Sequence, residues 1–313
     1  MTKVLVTGGA GFIGSNLVEY LLKNHPDSSK LDIRVIDALT YAGNPGNLPN
    51  STQVSLTIGD VRDRILVENL VSHVDMIYHL AAESHVDRSI ENSSIFVETN
   101  VIGTLNVLEA ARKFGKRTVL VSTDEVYGSI ATGFASEDYP LNPSSPYSAS
   151  KAAADLLAIS YHRTYGSDVV ITRCANNYGP KQNPEKFIPL IISKAVAGEK
   201  LPVYGDGTNI RDWIHVNDHC QGLMLAMESG KSGEIYNFGD IEHLRNIDLV
   251  KKILRLLEIS EESIEFVPDR LGHDFRYAIT SSRAKSELNW RPIHNMKADL
   301  PNTITHYQEL IIK

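Results

Sequence analysis

Tyr147 and Lys151 stand four residues apart in Ser145-Pro146-Tyr147-Ser148-Ala149-Ser150-Lys151, and helical spacing puts them on one face. A phenol is a poor base near neutral pH unless a cation stabilises the phenolate, and a lysine one turn away is placed to do so. Upstream, Asp124 and Glu125 follow directly on Ser122-Thr123. Adjacent carboxylates raise one another's proton affinity, so one can hold a proton while its neighbour is ionised, as a paired acid and base require. Taken singly, a Tyr-x-x-x-Lys is usually an exposed tyrosine and a solvated lysine, and an Asp-Glu pair is usually a solvated loop. What precedes these groups changes that reading.

Thr118-Val119-Leu120-Val121 reads as a buried parallel strand, which puts Thr123, Asp124 and Glu125 at its carboxyl end. For both carboxylates to face one site, the backbone has to bend after Val121. Pro146 suits the first turn of a helix running on through Leu157. At the start of the chain, Val4-Leu5-Val6-Thr7 runs into Gly8-Gly9-Ala10-Gly11-Phe12-Ile13-Gly14 and then an amphipathic helix through Leu22. Glycines spaced G-x-x-G-x-x-G let the backbone approach a pyrophosphate while the helix N-terminus faces its charge, which points to a dinucleotide. The second run, Ile33 to Ile36, ends in Asp37. A carboxylate there either caps the strand or accepts hydrogen bonds from ribose hydroxyls, and it would repel a 2′-phosphate, favouring NAD over NADP.

Further runs, Val54 to Gly59 and Met76 to Leu80, end in Asp60-Val61 and Ala81-Ala82-Glu83-Ser84, and each run reads as followed by a helix, a long one beginning at Glu98. Val169 to Cys174 is the sixth strand and delivers Ala175 to Pro180 to the same edge. Repeated units of this kind predict an α/β chain with a doubly wound parallel sheet and ligands over the strands' carboxyl ends. Beyond Asn177, helices such as Ile188 to Ala197 alternate with irregular polar runs. The organisation read from this is a dinucleotide-binding domain over 1–176, with a later return around 211–238, and a smaller substrate lobe over 177–313.

The 313 residues can bury a sizeable core, and a net charge of -7 argues against nucleic acid as the main partner. Cys174 and Cys220 form no CxxC pattern, so no disulfide scaffold is expected. His79 and His85 have no second ligand at a metal-binding spacing, and no metal is expected. The chain starts on a strand without an apolar leader or membrane-length span, which makes cytoplasm the expectation.

Together these parts resemble the nucleotide-sugar 4,6-dehydratases of the extended short-chain dehydrogenase/reductases. The match runs through Ala81-Ala82-Glu83-Ser84-His85-Val86-Asp87, Ser122 to Gly128, Tyr147 to Lys151, Asn176-Asn177-Tyr178-Gly179-Pro180, Pro184-Glu185-Lys186, Arg211-Asp212-Trp213 and Arg270-x-Gly272-His273-Asp274. It covers essentially the whole chain and implies a Rossmann sheet. It also implies catalytic roles for Thr123, Asp124, Glu125, Tyr147 and Lys151. Tyr147, aided by Thr123, would take the proton of a sugar C4 hydroxyl while C4 loses hydride to NAD. Lys151 would hold the nicotinamide ribose and lower the Tyr147 pKa. Glu125 would remove the C5 proton and Asp124 would protonate the departing C6 hydroxyl. The implied NAD contacts are Gly8, Gly11, Phe12, Ile13 and Gly14; Asp37, Ala38, Leu39 and Thr40; Asp60 and Val61; Leu80, Ala81, Ala82 and Ser84; and Thr99, Tyr147, Lys151 and Asn177. The implied substrate contacts are Ser84, Thr123, Asn176, Lys186, Phe187, Pro202, Val203, Tyr204, Arg211, Asn246, Arg270 and His273.

Two places depart from the family's usual pattern: Ala38, where a lysine is common, and Asp240 to Leu244, where the common wording is richer in glycine. The substrate expected is dTDP-glucose, with UDP-glucose and UDP-N-acetylglucosamine as alternatives. A sugar-nucleotide 4-epimerase would need Tyr147 and Lys151 but not the acidic pair, and an idle NAD-binding regulator would need none of the three catalytic groups Thr123, Tyr147 and Lys151 intact. The resemblance also implies a homodimer joined by two long helices from each subunit, here Thr99 to Phe114 and Tyr147 to Tyr165, and Leu156, Leu157 and Ile159 fit it by spreading apolar surface beyond one core-facing stripe.

Overall fold

The computed structural model describes residues 1–312. Its first half comprises β1 (Thr2–Thr7), α1 (Phe12–Asn24), β2 (Leu31–Asp37), β3 (Val54–Ile58), α2 (Arg64–Ser72), β4 (Met76–His79) and α3 (Val86–Glu91). A helical run follows, from α4 (Ser94–Phe96) through a π-helical stretch, Val97–Gly103, to α5 (Thr104–Phe114). Next come β5 (Arg117–Thr123), α6 (Pro146–Tyr165) and β6 (Val169–Cys174). The second half holds β7 (Asn176–Tyr178), α7 (Phe187–Val196), β8 (Leu201–Tyr204), β9 (Ile210–His215), α8 (Val216–Ser229), β10 (Ile235–Phe238), β11 (His243–Arg245), α9 (Asn246–Leu257), β12 (Ile264–Val267), α10 (Ser282–Glu287) and α11 (Met296–Ile312).

The main sheet has seven strands in the order β10-β6-β5-β4-β1-β2-β3, and every pairing in it is parallel. Val4, Leu5, Val6, Ile33, Val35, Val119, Leu120, Val170 and Ile171 are all buried, as strands covered on both faces require. Chain order reverses between β1 and β4, and that switch point opens a crevice above the carboxyl ends of the strands.

A second core gathers Ile188, Ile191, Leu201, Val203, Trp213, Leu249, Ile253, Met296 and Leu300 under a three-stranded sheet (β11-β9-β7) and a two-stranded one (β12-β8). The stretch 211–238 divides between the two cores. Strand β9 pairs with β7 and β11, while α8 packs on α1, β5 and β6, and β10 closes the edge of the main sheet against β6. Among the described residues no helix is long and apolar enough to cross a membrane.

Two expectations are corrected. No α-helix joins β2 to β3; that connection holds only a single 3₁₀ turn, Pro45–Asn47. Gly43, Pro45, Gly46 and Pro49 lie within it, and they deny a helix both its hydrogen bonds and its entropy margin. The long helix from Glu98 is also not uniform, since its first part is the π-helical stretch that carries Thr99 and Asn100. Its widened turn lets the Asn100 side chain accept from Glu83 N at 2.8 Å and donate to Glu83 O and Ser150 Oγ, pinning the loop after β4 to α6.

Candidate active site

The crevice is built on the turn after β1. Gly8 adopts φ +68°, and a Cβ there would lie 2.7 Å from Ala81 N, so only glycine lets the first and fourth strand ends come this close. A Cβ on Gly14 would collide with the Gly8 carbonyl, which holds α1 tightly against the turn. Asp37 accepts from Ala10 N and Leu39 N, both at 2.9 Å, so its buried carboxylate braces the glycine turn. The crevice is lined by Gly8, Gly11, Phe12, Ile13, Gly14, Asp37, Ala38, Thr40, Asp60, Val61, Leu80, Ala81, Ala82, Ser84 and Thr99, and further along by Tyr147, Lys151 and Asn177. Of the expected cofactor contacts only Leu39 stands off this lining. Backbone N–H groups to donate to phosphates, with a carboxylate at the end of β2 to accept from ribose hydroxyls, are what a dinucleotide requires. His79 is a structural group: its two nitrogens meet Thr7 and Thr104 at 2.7 and 2.9 Å, and burial lowers its pKa to about 3.

Helix α6 begins in a capping box between Ser145 and Ser148 with Pro146 in its first turn, which fixes where Tyr147 starts the spiral. Tyr147 and Lys151 are both buried. Burial, then Glu125 and Cys174, drives the Tyr147 phenol well above its ordinary range, and the Thr123 hydroxyl eases it. Lys151 gives its ammonium to Val121 O at 2.7 Å. Burial lowers the Lys151 pKa, while Asp155 and Cys174 hold it up. The lowering of Tyr147 expected from Lys151 is therefore not seen here, because the amine is turned to the β5 backbone.

The bend needed by the acidic pair is present, two residues later than expected. Thr123 ends β5 and accepts from Glu125 N at 3.2 Å, capping a 3₁₀ turn over Asp124–Tyr127. The tightened turn rotates successive side chains by less than a strand would, so Thr123, Asp124 and Glu125 all line the crevice. Gly128, at φ +69°, closes the turn where any Cβ would strike the Asn142 carbonyl.

The two carboxyls differ in surroundings. Asp124 has one oxygen against the Thr123 hydroxyl at 3.3 Å and the other buried without a partner. Burial, then Glu125 and Asp212, pushes its pKa well above the usual carboxylate range. Burial raises Glu125 as well, but Arg270, Arg211 and Lys186 all pull it down. Both carboxyls are raised, but three cations oppose the rise at Glu125 while acidic neighbours add to it at Asp124, so their surroundings push the two proton affinities apart.

Among the expected substrate contacts, Ser84, Thr123, Asn176, Lys186 and Phe187 line the same crevice. Lys186 donates to Ser84 O at 2.7 Å. Arg211 lies over the Tyr277 ring at 4.2 Å and donates to the carbonyls of Ile210, Phe275 and Asp274. Beyond the lining, Tyr204 packs edge-on to His273 with ring centres 6.1 Å apart, and Tyr204 and Arg270 approach Asp87 at 3.4 and 3.7 Å. Pro202 lies partly exposed beside them in β8, and Asn246 opens α9. Val203 is fully buried in the second core, main chain included, so as it stands it offers no surface to a substrate.

Sequence reasoning passed over Tyr277, whose hydroxyl reaches Glu125 at 3.4 Å and Asp274 at 2.9 Å. It stands three residues past the Arg270 to Asp274 motif, a signal that was available. Trp213, within a matched motif but assigned no contact, lines the crevice and stacks on Phe187 at 6.3 Å. Outside the crevice, His215, His294 and Asp299 place ligand atoms within 4.8 Å of one another. The two imidazoles are stacked at 4.1 Å and 25°, so no single ion can lie in both ring planes.

The family model described as GDP-mannose 4,6 dehydratase matches residues 5–301. A dTDP-glucose 4,6-dehydratase of Streptomyces antibioticus is 47% identical over 309 residues, covering 98% of this chain and 92% of that protein. The low-salt glycan biosynthesis protein Agl12 of Haloferax volcanii is 50% identical over 311 residues, 97% of this chain and 98% of that one. A crystal structure of the dTDP-glucose 4,6-dehydratase DesIV of Streptomyces venezuelae, determined with NAD bound, superposes with a TM-score of 0.96 at 48% identity, covering 98% of this chain and 97% of that one.

Proposed function

We propose, from the premise that this chain belongs to the GDP-mannose 4,6 dehydratase family, that it is an NAD-dependent nucleotide-sugar 4,6-dehydratase converting dTDP-glucose to dTDP-4-keto-6-deoxyglucose and water. The observation that carries this reading is the pair of buried Asp124 and half-buried Glu125, pushed apart in proton affinity by their surroundings and facing the crevice beside Tyr147 and Thr123. An epimerase has no use for such a pair.

The turn around Gly8 and Gly14, the N-terminus of α1 and Asp37 fit NAD, and the carboxylate disfavours a 2′-phosphate. Bound there, NAD would supply the hydride acceptor for C4 and, once reduced, the hydride donor for C6. The protein's own groups move the protons. Tyr147 takes the C4 hydroxyl proton while Thr123 hydrogen-bonds the same oxygen, and Lys151 holds the nicotinamide ribose. The resulting ketone acidifies C5, and Glu125 removes that proton. Asp124 gives its proton to the C6 hydroxyl, which leaves as water. Glu125 then returns the proton to C5. Lys186, Arg211, Arg270 and His273 offer cations or donors to the diphosphate, and Pro202 and Tyr204 flank the base. Residues 1–176 together with α8 and β10 form the cofactor domain, and the rest of 177–313 forms the substrate lobe.

The chain works as a homodimer in this reading. Val97 (50% exposed), Ile102 (44%) and Leu156 (57%) turn large apolar side chains outward on the run from α4 to α5 and on α6. Two copies would bury these surfaces as a four-helix interface. A light-scattering mass equal to one chain at micromolar concentration would count against it.

The test of the activity is to incubate the purified protein with dTDP-glucose, UDP-glucose and UDP-N-acetylglucosamine separately and follow loss of one water by mass. Loss from dTDP-glucose at the highest kcat/KM is expected, and an inverted order would reassign the nucleotide.

A further inference from the structure

Between the catalytic helix and the acid-base turn lies a charged group with no part in the proton transfers. Arg173, in β6, is 1% exposed and is among the largest fully buried side chains of the protein. Its backbone pairs with Ser122, one step before the pair of Thr123 with Cys174, so its side chain leaves the sheet directly beneath the site. The guanidinium spreads to three separate segments. Its Nε donates to Asp155 Oδ2 at 2.9 Å, and its Nη1 donates to Tyr127 Oη at 2.8 Å and to Glu137 O at 3.3 Å. Its carbon also lies 4.8 Å from the centre of the Tyr127 ring.

Two of these partners belong to the catalytic parts. Asp155 continues the helical row of Tyr147 and Lys151 at the next i+4 position of α6. Tyr127 ends the 3₁₀ turn that opens with Asp124 and Glu125, and its hydroxyl, after accepting from Arg173, donates to Asn237 Oδ1 at 2.9 Å. Asn237 in turn donates its backbone N–H to Glu137 Oε1 at 3.0 Å. Thr123 also bears on both parts, capping the turn and easing the Tyr147 phenol, but it sits at their near edge, whereas Arg173 ties the next turn of α6 to the far end of the 3₁₀ turn.

We propose that Arg173 is a positioning residue that fixes the spacing between the Tyr147/Lys151 helix and the Asp124/Glu125 turn, so that the oxidation and elimination groups act on one bound sugar. The stability argument alone does not call for a charge here, because a buried ion pair is often matched or bettered by apolar side chains of the same volume. What apolar side chains cannot reproduce is a planar fork that hydrogen-bonds three segments at once, two through the Asp155 and Tyr127 side chains and one through the Glu137 carbonyl. The role extends to Lys151: Asp155, held by Arg173, supports the protonated amine that burial opposes.

This inference rests on the dehydratase reading for its kinetic consequence but not for its structural one, and the experiment separates the two. Three variants are compared with the parent: Arg173→Lys, Tyr127→Phe, and the charge-free pair Asp155→Leu with Arg173→Met. The Lys variant keeps the ion pair without the fork. It should melt near the parent temperature, lose about 10–100-fold in kcat with little change in KM, and show reduced-nicotinamide absorbance rising ahead of water loss in a single turnover, since small misplacements cost on this scale. Tyr127→Phe, which keeps the ion pair, should show the same signature more weakly. The charge-free variant, if folded, should lose kcat at unchanged melting temperature. Full rescue of kcat by Lys would mean that the ion pair is merely structural and would overturn the proposal. Independently of substrate, amide exchange over 124–128 should quicken in Arg173→Lys, and unchanged exchange there would overturn it as well. A parent that dehydrates no nucleotide sugar would instead sink the activity, with the exchange measurement still deciding the staple.

Discussion

The helix carrying Tyr147 and Lys151 and the turn carrying Asp124 and Glu125 bury ionisable groups side by side, yet they are treated differently. On the helix, burial dominates both groups, raising the phenol and lowering the amine, and only the Thr123 hydroxyl eases Tyr147 directly. On the turn burial again raises both carboxyls, but three cations from distant segments, Arg270, Arg211 and Lys186, oppose it at Glu125, whereas Asp124 is raised further by Glu125 and Asp212 against Arg211 alone. The helix pair is set by local spacing, four residues apart on one face. The turn pair is set by tertiary approach, since identical chemistry at consecutive positions is separated only by what packs around each. Proton affinity in this site is thus divided between one secondary-structure rule and one assembly of remote charges.

The largest break in that comparison is Tyr147→Phe. Without the phenol no proton leaves the C4 hydroxyl, so oxidation and everything after it stop. A kcat loss at the upper end of the ~10²–10⁴-fold range for a general acid-base group is expected, with no bound reduced nicotinamide in a single turnover. Such absorbance in that variant would show that another group takes the C4 proton. Next in size is Asp124→Asn, which keeps shape and removes the transferable proton. Oxidation and C5 proton exchange should survive while water loss slows by about 100-fold. Glu125→Gln should instead stop C5 exchange with solvent deuterium while bound reduced nicotinamide still forms.

How much of this was legible before folding follows the same division. The sheet, the glycine turn and the Tyr147/Lys151 helix could be read because each rests on short-range periodicity or on a residue that only one backbone geometry admits, such as Gly8. The connection from β2 to β3 was misread as helical although Pro45, Gly46 and Pro49 spoke against it. The two-residue delay in the bend at Thr123 depended on the Thr123 cap and the Gly128 conformation, which act only once the Asn142 carbonyl packs there. Tyr277 and the Arg173 fork were missed for a related reason. Their partners are 152 residues away for Tyr277 and Glu125, and 46 for Arg173 and Tyr127, with no periodic signal linking them.

A smaller effect should appear in stability. Burial raises the Asp124 pKa, so the folded protein keeps a proton that the unfolded chain releases at lower pH. Folding then loses stability as pH climbs from the ordinary carboxylate range through the raised folded value. An asparagine has no such proton. Asp124→Asn should therefore melt higher than the parent at neutral to mildly alkaline pH, with the gain shrinking toward the acid side. A variant that melted lower at every pH would show that the carboxyl is held by stabilising contacts absent from the structure, where one of its oxygens has no partner.

The finest test of the comparison removes one remote charge and leaves both catalytic pairs in place. In the parent, kcat/KM should trace a bell: it falls on the acid side as Glu125 takes up a proton and falls on the alkaline side as Asp124 gives one up. Both limbs lie above the ordinary carboxylate range because burial raises both groups. Arg270 is the leading cation pulling Glu125 down, whereas Arg211 is the cation that acts on Asp124. Arg270→Met should therefore move the acid limb to higher pH and leave the alkaline limb nearly still, narrowing the bell from one side. Its loss of diphosphate affinity would lower the whole curve without moving either limb, so the two effects separate in one titration. Limbs that shift together would mean that Asp124 and Glu125 titrate as a unit, and the split between a local acid and a remotely tuned base would be wrong.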